Sequence, residues 1–375
     1  MRTKCRNVNI IKLSRNYLEL AIKFWAHIIF MLINYYEGML ISVIITATVP
    51  NDFIKIAVHS VLSQTLNKKE YETIVVKNFL DPDLDDFLAE REIINIYSDK
   101  IEIGEKIALG INQANGDIIS ILDYDDLFLP IKLETVKRVF LEKENLIYYH
   151  NNFEIVNEHF NDQKPMIKNL IFPQMYLDTN QLYNLRDKII KSRLDFNNSC
   201  ISIKRDLAMK NLNFIKKINI SLDSALFYIS LTQKDSLLMV DDKILTYYRI
   251  HSSNNSLSSG SNNINNNFQG VFLKEKYESN RIKDLNHILE IMEPPLTQTI
   301  KQEIIFIKIS RCLYNYSLNT VFHISPYEYL LYLKSGNFIK HSIVSIVCFL
   351  KQNSKLIDLI YTKILTFFQT PVFLK

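Results

Sequence analysis

The chain's decisive segment reads Asn115-Gly-Asp-Ile-Ile-Ser-Ile-Leu-Asp-Tyr-Asp-Asp-Leu-Phe-Leu-Pro130. Its apolar run from Ile118 to Leu122 is long enough for a buried strand and too short for a helix. Pro130 suits the first turn of a helix, and the pattern that follows predicts one near Ile131 to Leu141. The segment therefore predicts a strand, a polar turn and a helix in succession, an arrangement typical of α/β proteins.

Three carboxylates, Asp123, Asp125 and Asp126, stand at the end of that predicted strand. Carboxylates at the mouth of a buried strand repel one another and lose hydration, so a positive group must offset their charge. A divalent cation with oxygen ligands, Mg²⁺ or Mn²⁺ shared with substrate phosphates, meets this need. The alternative is a solvated acidic turn, but the buried strand and the Pro-led helix favour the metal site.

The composition describes a globular protein. The chain has 375 residues, of which 47% are hydrophobic and 22% are charged, so it has material for a large core and two domains. A net charge of +4 is too small to indicate a nucleic-acid partner, and none is expected. The four cysteines are widely scattered, without metal-ligand or redox spacing, which favours free thiols in a reducing, cytoplasmic compartment.

The first 38 residues form a separate unit in the sequence. The stretch from Tyr17 to Tyr36 is rich in Leu, Ile and Phe but carries a polar stripe at Glu19, Lys23, His27 and Asn34. A transmembrane helix needs about 20 apolar residues with few charges, so a packing or interfacial helix is expected instead. In an alternative interpretation translation begins at Met39, directly before the first predicted strand.

From Leu40 onward the pattern alternates between strand and helix. Strands are predicted at Leu40–Thr46, Tyr71–Val76, Ile93–Tyr97, Asp117–Leu122 and Leu146–Tyr149, and helices at Phe53–Gln64, Asp81–Glu90 and Gly104–Ala114. This alternation predicts a mostly parallel sheet with helices on both faces. Ligands of such sheets bind at the carboxyl ends of the strands, where the loops after Thr46, Val76 and Leu122 should meet.

Several motifs follow one another in a recognisable order: Ser42-Val-Ile-Ile-Thr46, Ser60-Val-Leu-Ser-Gln-Thr65, Glu72-Thr-Ile-Val-Val76, Gly116 to Asp126, and Lys132-Leu-Glu134. From about Leu40 to His251 the chain resembles the family-two glycosyltransferases. These are inverting enzymes with the A-type nucleotide-diphospho-sugar (GT-A) fold. The resemblance implies a GT-A-like domain over residues 39–255, preceded by the extension at 1–38 and followed by a helical region at 270–375.

The resemblance also implies roles for the acidic residues. In that family the Asp-x-Asp at the strand end binds the divalent metal and the donor's diphosphate and ribose. Asp125 is accordingly the leading metal ligand, Asp123 is expected to contact ribose or metal, and Asp126 supports the metal site. Thr46, at the end of the first strand, is expected to join the donor site.

The second strand departs from the family pattern. Lys77 and Asn78 stand where the family usually carries acidic residues that contact the nucleotide base or ribose. Asn78 can still hydrogen-bond a base edge, whereas Lys77 has no acceptor atom. Lys77 is either a solvated loop lysine or a phosphate contact. The first loop, Thr46-Ala47-Thr48, also differs from the family's run, so the nucleotide base is left open.

Two later motifs complete the implied site. Asp223 stands near the start of a predicted helix at Ser221–Leu231, where a carboxylate is favoured by the helix dipole. The family places its catalytic base in a Glu-Asp pair there; here the pair reads Leu222-Asp223, and the resemblance implies that Asp223 is the base. The segment from Val240 to His251 resembles the family's closing strand, which implies that Arg249 and His251 contact the donor diphosphate.

The implied reaction transfers a sugar from a nucleotide-diphospho-sugar to a hydroxyl of a sugar or lipid-linked glycan acceptor, with inversion. The departures near Lys77 and before Asp223 keep an alternative open: a non-catalytic sugar- or partner-binding protein on the same fold. A nucleotidyltransferase on a related fold is a third, weaker option.

The C-terminal region is predicted to be mainly helical. From Leu331 to the end it has six lysines and one acidic residue, and Ser354–Gln369 is amphipathic. Basic amphipathic helices suit an anionic membrane surface, which predicts a peripheral protein at the cytoplasmic face without a transmembrane segment. Packing on the catalytic domain, or on a second copy of the chain, is the alternative.

Overall fold

The computed structural model describes residues 38–157, 173–181, 194–251, 268–294, 296–314, 324–334, 341–346 and 348. The predicted N-terminal helix at Tyr17–Tyr36 and the amphipathic segment Ser354–Gln369 lie outside the described residues. The predicted contact of Ser354–Gln369 with a membrane surface, or with a second copy of the chain, therefore stays a prediction.

The described residues contain one nine-stranded sheet. Its strands are β1 (Ile41–Ala47), β2 (Tyr71–Lys77), β3 (Ile94–Tyr97), β4 (Ile118–Asp123), β5 (Leu127–Phe128), β6 (Leu146–Asn157), β7 (Met175–Asp178), β8 (Ile201–Lys204) and β9 (Leu237–Ile250). They lie in the order β3-β2-β1-β4-β8-β6-β9-β5, and β7 pairs with β9. The first four strands of this order are parallel, whereas β8 runs antiparallel to both β4 and β6.

Helices and short 3-10 turns connect these strands. The α-helices are α1 (Phe53–Leu62), α2 (Pro82–Ala89), α3 (Ile103–Gln113), α4 (Lys132–Glu142), α5 (Arg205–Lys210), α6 (Leu212–Ile215), α7 (Leu222–Leu231), α8 (Phe268–Leu289), α9 (Leu296–Tyr314) and α10 (Pro326–Lys334). The 3-10 turns are Lys68–Glu70, Thr179–Gln181 and Asn198–Cys200.

Each face of the sheet has its own hydrophobic core. On one face the sheet packs against the apolar sides of α1, α2 and α4, including Ala57, Leu84 and Leu133. On the other face it packs against α3 and α7, including Ile107 and Leu226. Helices therefore cover both faces, and the predicted α/β fold class is confirmed.

The strand predicted at Leu146–Tyr149 continues to Asn157, because buried polar side chains within it find partners. Asn151 Nδ2 donates to Thr246 Oγ1 at 3.0 Å, and Asn152 Nδ2 donates to the Asp242 carbonyl oxygen at 3.0 Å. Polar residues in the sequence suggested an end to the strand, but a buried amide is tolerated wherever it is hydrogen-bonded. The additional length lets β6 pair with β9 over most of its course.

The first two C-terminal helices, α8 and α9, belong to the hydrophobic core on one face of the sheet. Ile282, Leu285 and Ile288 of α8, with Leu296 and Ile300 of α9, share one buried cluster with the residues of α7. The predicted helical C-terminal region is thus confirmed over its described part. Of the alternatives left open, packing on the catalytic domain holds for α8 and α9. In the described ranges, every helix is too short or too polar to cross a membrane.

Two aliphatic residues at the start of α4 test the core. Leu133 is fully buried, whereas Ile131 is 50% exposed. Leu133→Ala should lower the free energy of unfolding by about 2–5 kcal/mol, because it removes buried methyl groups and leaves a cavity. Ile131→Ala deletes similar atoms from the surface and should change it by about 0.5 kcal/mol or less. Urea denaturation measures both, and equal effects would contradict this packing.

Candidate active site

Parallel register brings three strand ends to one edge of the sheet. Thr46 of β1 pairs with Val76 of β2 and with Asp123 of β4. Ala47 pairs with Lys77 in the same register. The loops that follow these strands therefore leave the sheet side by side, as predicted, and Thr46 is buried between its neighbours.

His251 lies beside Asp125 at this edge. Its Nε2 atom is 2.9 Å from Asp125 Oδ2, although the two residues are 126 positions apart in the chain. Both side chains are largely buried, with 3% and 16% of their surfaces exposed. The His251 ring also packs against Phe53, with the ring centroids 5.2 Å apart. The structure thus joins the predicted metal ligand to the predicted diphosphate contact.

Asp126 is turned into the protein. Its Oδ1 accepts a hydrogen bond from the Arg249 backbone N–H at 3.0 Å, and its Oδ2 accepts one from Asn197 Nδ2 at 3.1 Å. Burial, reinforced by the charge of Asp125, raises the pKa of Asp126 to about 7, and the hydrogen bonds oppose that rise. Asp126 therefore fastens the turn to β9, which fits a supporting role better than direct contact with a metal.

Asp123 faces the edge of the site. Asn198 Nδ2 lies 3.1 Å from its Oδ2 and 3.4 Å from its Oδ1. Burial, together with repulsion from Asp125 and Asp126, raises the pKa of Asp123 well above its ordinary value, and Asp223 adds to the rise. A carboxylate held among like charges favours any cation that approaches it.

Asp223, the predicted base, lies on a separate element, helix α7. It lies in the first turn of α7, where the Ser224 N–H donates to its Oδ1 at 2.7 Å. Its side chain keeps part of its surface exposed. Its charge contributes to the raised pKa of Asp123, so the two carboxylates lie within electrostatic range of each other.

Arg249 is fully buried next to the β1–α1 loop. Its Cζ atom lies 4.2 Å from the centroid of the Phe53 ring, close enough for a cation–π contact. Phe53 therefore touches both Arg249 and His251, which the sequence placed at the diphosphate. The sequence alone did not identify Phe53 as a site residue, because it is simply the first apolar residue of a predicted helix.

The structure corrects both interpretations of Lys77. The side chain is neither solvated nor turned toward the site, since it is 1% exposed. Its Nζ atom pairs with Asp85 Oδ1 of α2 at 2.9 Å and donates to the Phe79 carbonyl oxygen at 2.9 Å. The sequence could not reveal this partner, because the strand end and α2 meet only in the folded chain.

Asn78 ties two loops of the site together. With its amide oriented to satisfy its neighbours, its Nδ2 donates to the Ala47 and Thr48 carbonyl oxygens at 3.1 and 3.2 Å. The amide oxygen is the part of Asn78 left to contact a ligand. The predicted contact with a nucleotide base stays a prediction.

A buried lysine, Lys106 of α3, also reaches this edge. Its Nζ atom lies 3.5 Å from the Ala47 carbonyl oxygen. Burial lowers its pKa to about 8, while the charges of Asp123 and Glu102 oppose the decrease. Lys106 was missed from the sequence. Its place on the buried side of a helix, beside Ile107, was the signal that could have identified it.

The possible metal-ligand atoms at this edge suit a cation that the protein coordinates only in part. Across the described ranges, no three His, Cys, Asp or Glu side chains form a ready cage for a metal ion. Asp125 and Asp123 offer carboxylate oxygens at the edge, with the His251 nitrogen beside Asp125. Mg²⁺ and similar ions commonly bind one or two carboxylates and complete their coordination with water and substrate phosphates. The residues present fit that arrangement.

A cavity of about 260 Å³ opens beside the β1–α1 loop. It is lined by Pro50, Asn51, Asp52, Ile54, Lys55, Asp81 and Leu84. Because it lies between the loop after β1 and the start of α2, it adjoins the same edge of the sheet.

Residues 42–201 match the sequence model of the family described as Glycosyl transferase family 2. This range includes β1, the carboxylates after β4 and the Asn198–Cys200 turn. The match and the architecture of the sheet support a glycosyltransferase of family two over this range, and the fold is of the GT-A type.

Curated relatives resemble a shorter stretch. An uncharacterized glycosyltransferase of Rickettsia felis is 32% identical over 106 residues, and one of Rickettsia conorii is 33% identical over 106 residues. Each match covers 27% of this chain and 17% of the relative. The chain thus spans about a sixth of the length of these relatives.

Solved structures resemble a larger share of the chain. S. aureus TarS superposes with a TM-score of 0.52 at 14% identity, covering 86% of this chain and 54% of TarS. Its fragment 1–349, in complex with UDP-GlcNAc, gives a TM-score of 0.51 at 14% identity and covers 81% of each chain. At this identity the likeness concerns the fold.

The Lys77–Asp85 pair should leave a signature in the pH dependence of stability. Burial raises the pKa of Asp85, but hydrogen bonds from Lys77 and Asn95 and the charge of Lys77 lower it more, so the net shift is downward. A lowered pKa stabilises the fold above the unfolded value of about 3.9, and this contribution is lost as pH falls through the folded value. Asp85→Asn should lose less stability between pH 5 and pH 3 than the unmodified protein.

The control for that experiment is Asp86→Asn, an exposed neighbour on the same helix. At neutral pH Asp85→Asn should cost about 1 kcal/mol, because Asp85 is partly exposed and water screens the pair. Denaturant titrations at several pH values measure both variants. Identical pH profiles for Asp85→Asn and Asp86→Asn would show that the pair contributes nothing.

Proposed function

We propose that the protein is an inverting glycosyltransferase that moves a sugar from a nucleotide-diphospho-sugar to an acceptor hydroxyl. The observation that supports this most is that parallel register brings the ends of β1, β2 and β4 to one edge, where Asp125 lies 2.9 Å from His251, in a stretch that largely matches the family-two model. The charge of Asp223, the candidate base, acts on Asp123 at this edge. A transfer reaction requires that the base for the acceptor hydroxyl and the site for the donor diphosphate lie close together.

In this proposal Asp125 and Asp123 hold the divalent cation, with the His251 ring next to Asp125. A bound Mg²⁺ or Mn²⁺ ion would supply positive charge to the diphosphate as it leaves. Asp126 holds the turn in place through its bonds to the Arg249 N–H and Asn197. Asn198 orients the carboxylate of Asp123 by donating to it.

Asp223 acts as the general base. It takes the proton of the acceptor hydroxyl while that oxygen attacks the anomeric carbon and the bond to the diphosphate breaks. The hydrogen bond from the Ser224 N–H to Oδ1 orients the carboxylate for this step. Attack from the side opposite to the leaving group inverts the configuration at the anomeric carbon.

Positive charge near the diphosphate comes from buried side chains. Arg249, packed on Phe53, and Lys106, near the Ala47 carbonyl, are both shielded from water. A cation in a dry environment exerts a stronger field than one in solution, so each favours an approaching diphosphate. Thr46, near the end of β1, pairs with Asp123 in the sheet.

For the donor we propose a nucleotide whose base contacts Asn78, directly after β2. The oxygen of Asn78 is available to accept from a base edge, since its nitrogen is bonded to the loop. Because a TarS fragment of similar fold was solved with UDP-GlcNAc, uridine-diphosphate sugars are the first donors to test. The acceptor would be a sugar or a lipid-linked glycan.

The first test removes the proposed metal ligand. Asp125→Ala should lower both donor hydrolysis and transfer by at least about 100-fold, because the leaving diphosphate loses its stabilisation. A chelator should do the same to the unmodified protein, and added Mn²⁺ or Mg²⁺ should restore it. The matched control is Asp86→Ala, an exposed aspartate on α2. Full activity of Asp125→Ala, or full activity in chelator, would refute the metal's role.

The second test separates catalysis from binding. Asp223→Asn keeps the shape of the side chain but cannot accept the acceptor's proton. It should lower kcat by about 100- to 10,000-fold. Its affinity for the donor should stay within about threefold, because the donor is bound by the strand edge rather than by α7. Turnover with product analysis by mass, and thermal shift with nucleotide-sugars, measure the two properties.

A non-catalytic sugar-binding protein is the second candidate. Two observations favour it: Lys77 is committed to Asp85, and Leu222 stands where the family has a glutamate. Such a protein would bind a nucleotide-sugar without turnover, so Asp223→Asn would have no turnover to lose. Transfer by the unmodified protein that is lost in this variant excludes the candidate.

A further inference from the structure

The segment that leads into helix α7, which carries Asp223, is hydrogen-bonded to a carboxylate from the C-terminal region. Its N-cap residue, Ser221, makes no capping hydrogen bond of its own. Instead, Asp284 of α8 accepts hydrogen bonds from the backbone N–H groups of Asn219, Ile220 and Ser221 at 2.9, 2.8 and 2.9 Å. The Asp284 side chain is fully buried. A carboxylate 63 positions away thus satisfies the donors that lead into the helix.

Arg281, one turn before Asp284 on α8, holds the same segment. Its Nη1 donates to Ser221 Oγ at 3.4 Å, and its Nε donates to Glu303 Oε1 of α9 at 3.0 Å. Burial lowers the pKa of Arg281, but the charge of Glu303, followed by that of Asp223, raises it more. The guanidinium is therefore a permanent positive charge near Asp223, braced against α9.

The opposite side of the segment rests on α3. Gly104 N–H donates to the Ile218 carbonyl oxygen at 3.1 Å. A Cβ atom at position 104 would lie 2.1 Å from the Ile215 carbonyl oxygen, so only glycine allows this approach. The chain from Ile215 to Ser221 is therefore held between α3, which carries Lys106, and α8.

We infer that the helix pair α8–α9 is a positioning element of the active site, in which Asp284 and Arg281 set where the first turn of α7 places Asp223. The inference rests on the proposed function, in which Asp223 is the base. Both residues act through the backbone and charge around Asp223, so they are positioning residues rather than catalytic ones.

The physical reason is the precision that proton transfer demands. A displacement of about 1 Å at a reacting group can cost about 100-fold in rate. Without Asp284, three N–H groups, of which the one on Ser221 is buried, would lose their acceptor, and the segment would shift to find others. The strand edge that holds the donor is built from β1, β2 and β4, which Asp284 does not touch. The effect should therefore fall on the chemical step and spare donor binding.

The experiment compares Asp284→Asn with Glu290→Gln. Both replace a carboxylate on α8 or directly after it by an amide, but the Glu290 side chain is 69% exposed and contacts His287. In the full-length protein, Asp284→Asn should lower kcat by about 10- to 100-fold and leave the donor KM within about threefold. Glu290→Gln should leave both unchanged. Amide hydrogen exchange at 219–221 should be faster in Asp284→Asn, with exchange in β1 and β4 preserved.

A second pair of variants keeps the inference testable if Asp284→Asn does not fold. Arg281→Lys retains the positive charge near Asp223, and Arg281→Gln removes it. The lysine variant should keep more of kcat than the glutamine variant, at an unchanged donor KM. A purely structural role would lower both variants equally, in proportion to the loss of folded protein.

The outcomes separate the inference from the function beneath it. If the unmodified protein transfers sugar and Asp284→Asn keeps its kcat, the positioning role is refuted while the enzyme stands. A parallel loss of kcat and donor binding would also refute it, since it would mean general unfolding. If the unmodified protein binds nucleotide-sugars but transfers none, the proposed function is refuted. The positioning role is then refuted as well, because it requires Asp223 to be a base.

Discussion

Repulsion among the carboxylates after β4 is the constraint on which the site depends. Asp123, Asp125 and Asp126 lie within a span of four residues at the end of a buried strand, and each has different partners. Asp125 lies against His251, Asp126 accepts from the Arg249 backbone N–H and an amide, and Asp123 is left facing the edge with an amide donor beside it. Hydrogen bonds thus offset part of the repulsion within the cluster, and in the proposed function the remaining negative charge favours a cation.

The sheet changes direction beyond β4, and this change brings further hydrogen-bond donors to the carboxylates. Strand β8 runs antiparallel to β4, so the turn that precedes it brings Asn197, Asn198 and Ser199 to the carboxylates. Buried Lys132 of α4 fixes this turn, since its Nζ donates to the Ser199 carbonyl oxygen and to Thr246 Oγ1 of β9. Burial lowers the pKa of Lys132 to about 7, and the neighbouring Cys200 and Asp126 oppose this decrease.

The C-terminal helices α8 and α9 support the part of the proposed site that lies on α7. A division of the chain after the last family motif would assign α8 and α9 to a separate unit. Their apolar residues nevertheless share the core beneath α7, and their polar residues hold the segment that leads into Asp223. In this protein the region outside the family match therefore contributes to the geometry of the proposed catalytic residue.

The sequence alone determined the α/β class, the parallel strands and the edge where the carboxylates stand, because apolar runs and strand–helix alternation are local patterns. It also nominated Asp125, Asp223 and His251 through motifs. Only the tertiary structure decided that Lys77 turns inward to Asp85, that Asp126 is committed to the Arg249 backbone, and that Asp284 supports α7. Those pairings join residues far apart in the chain or on different elements. Their energies arise from burial and from neighbours that exist only once the chain has folded.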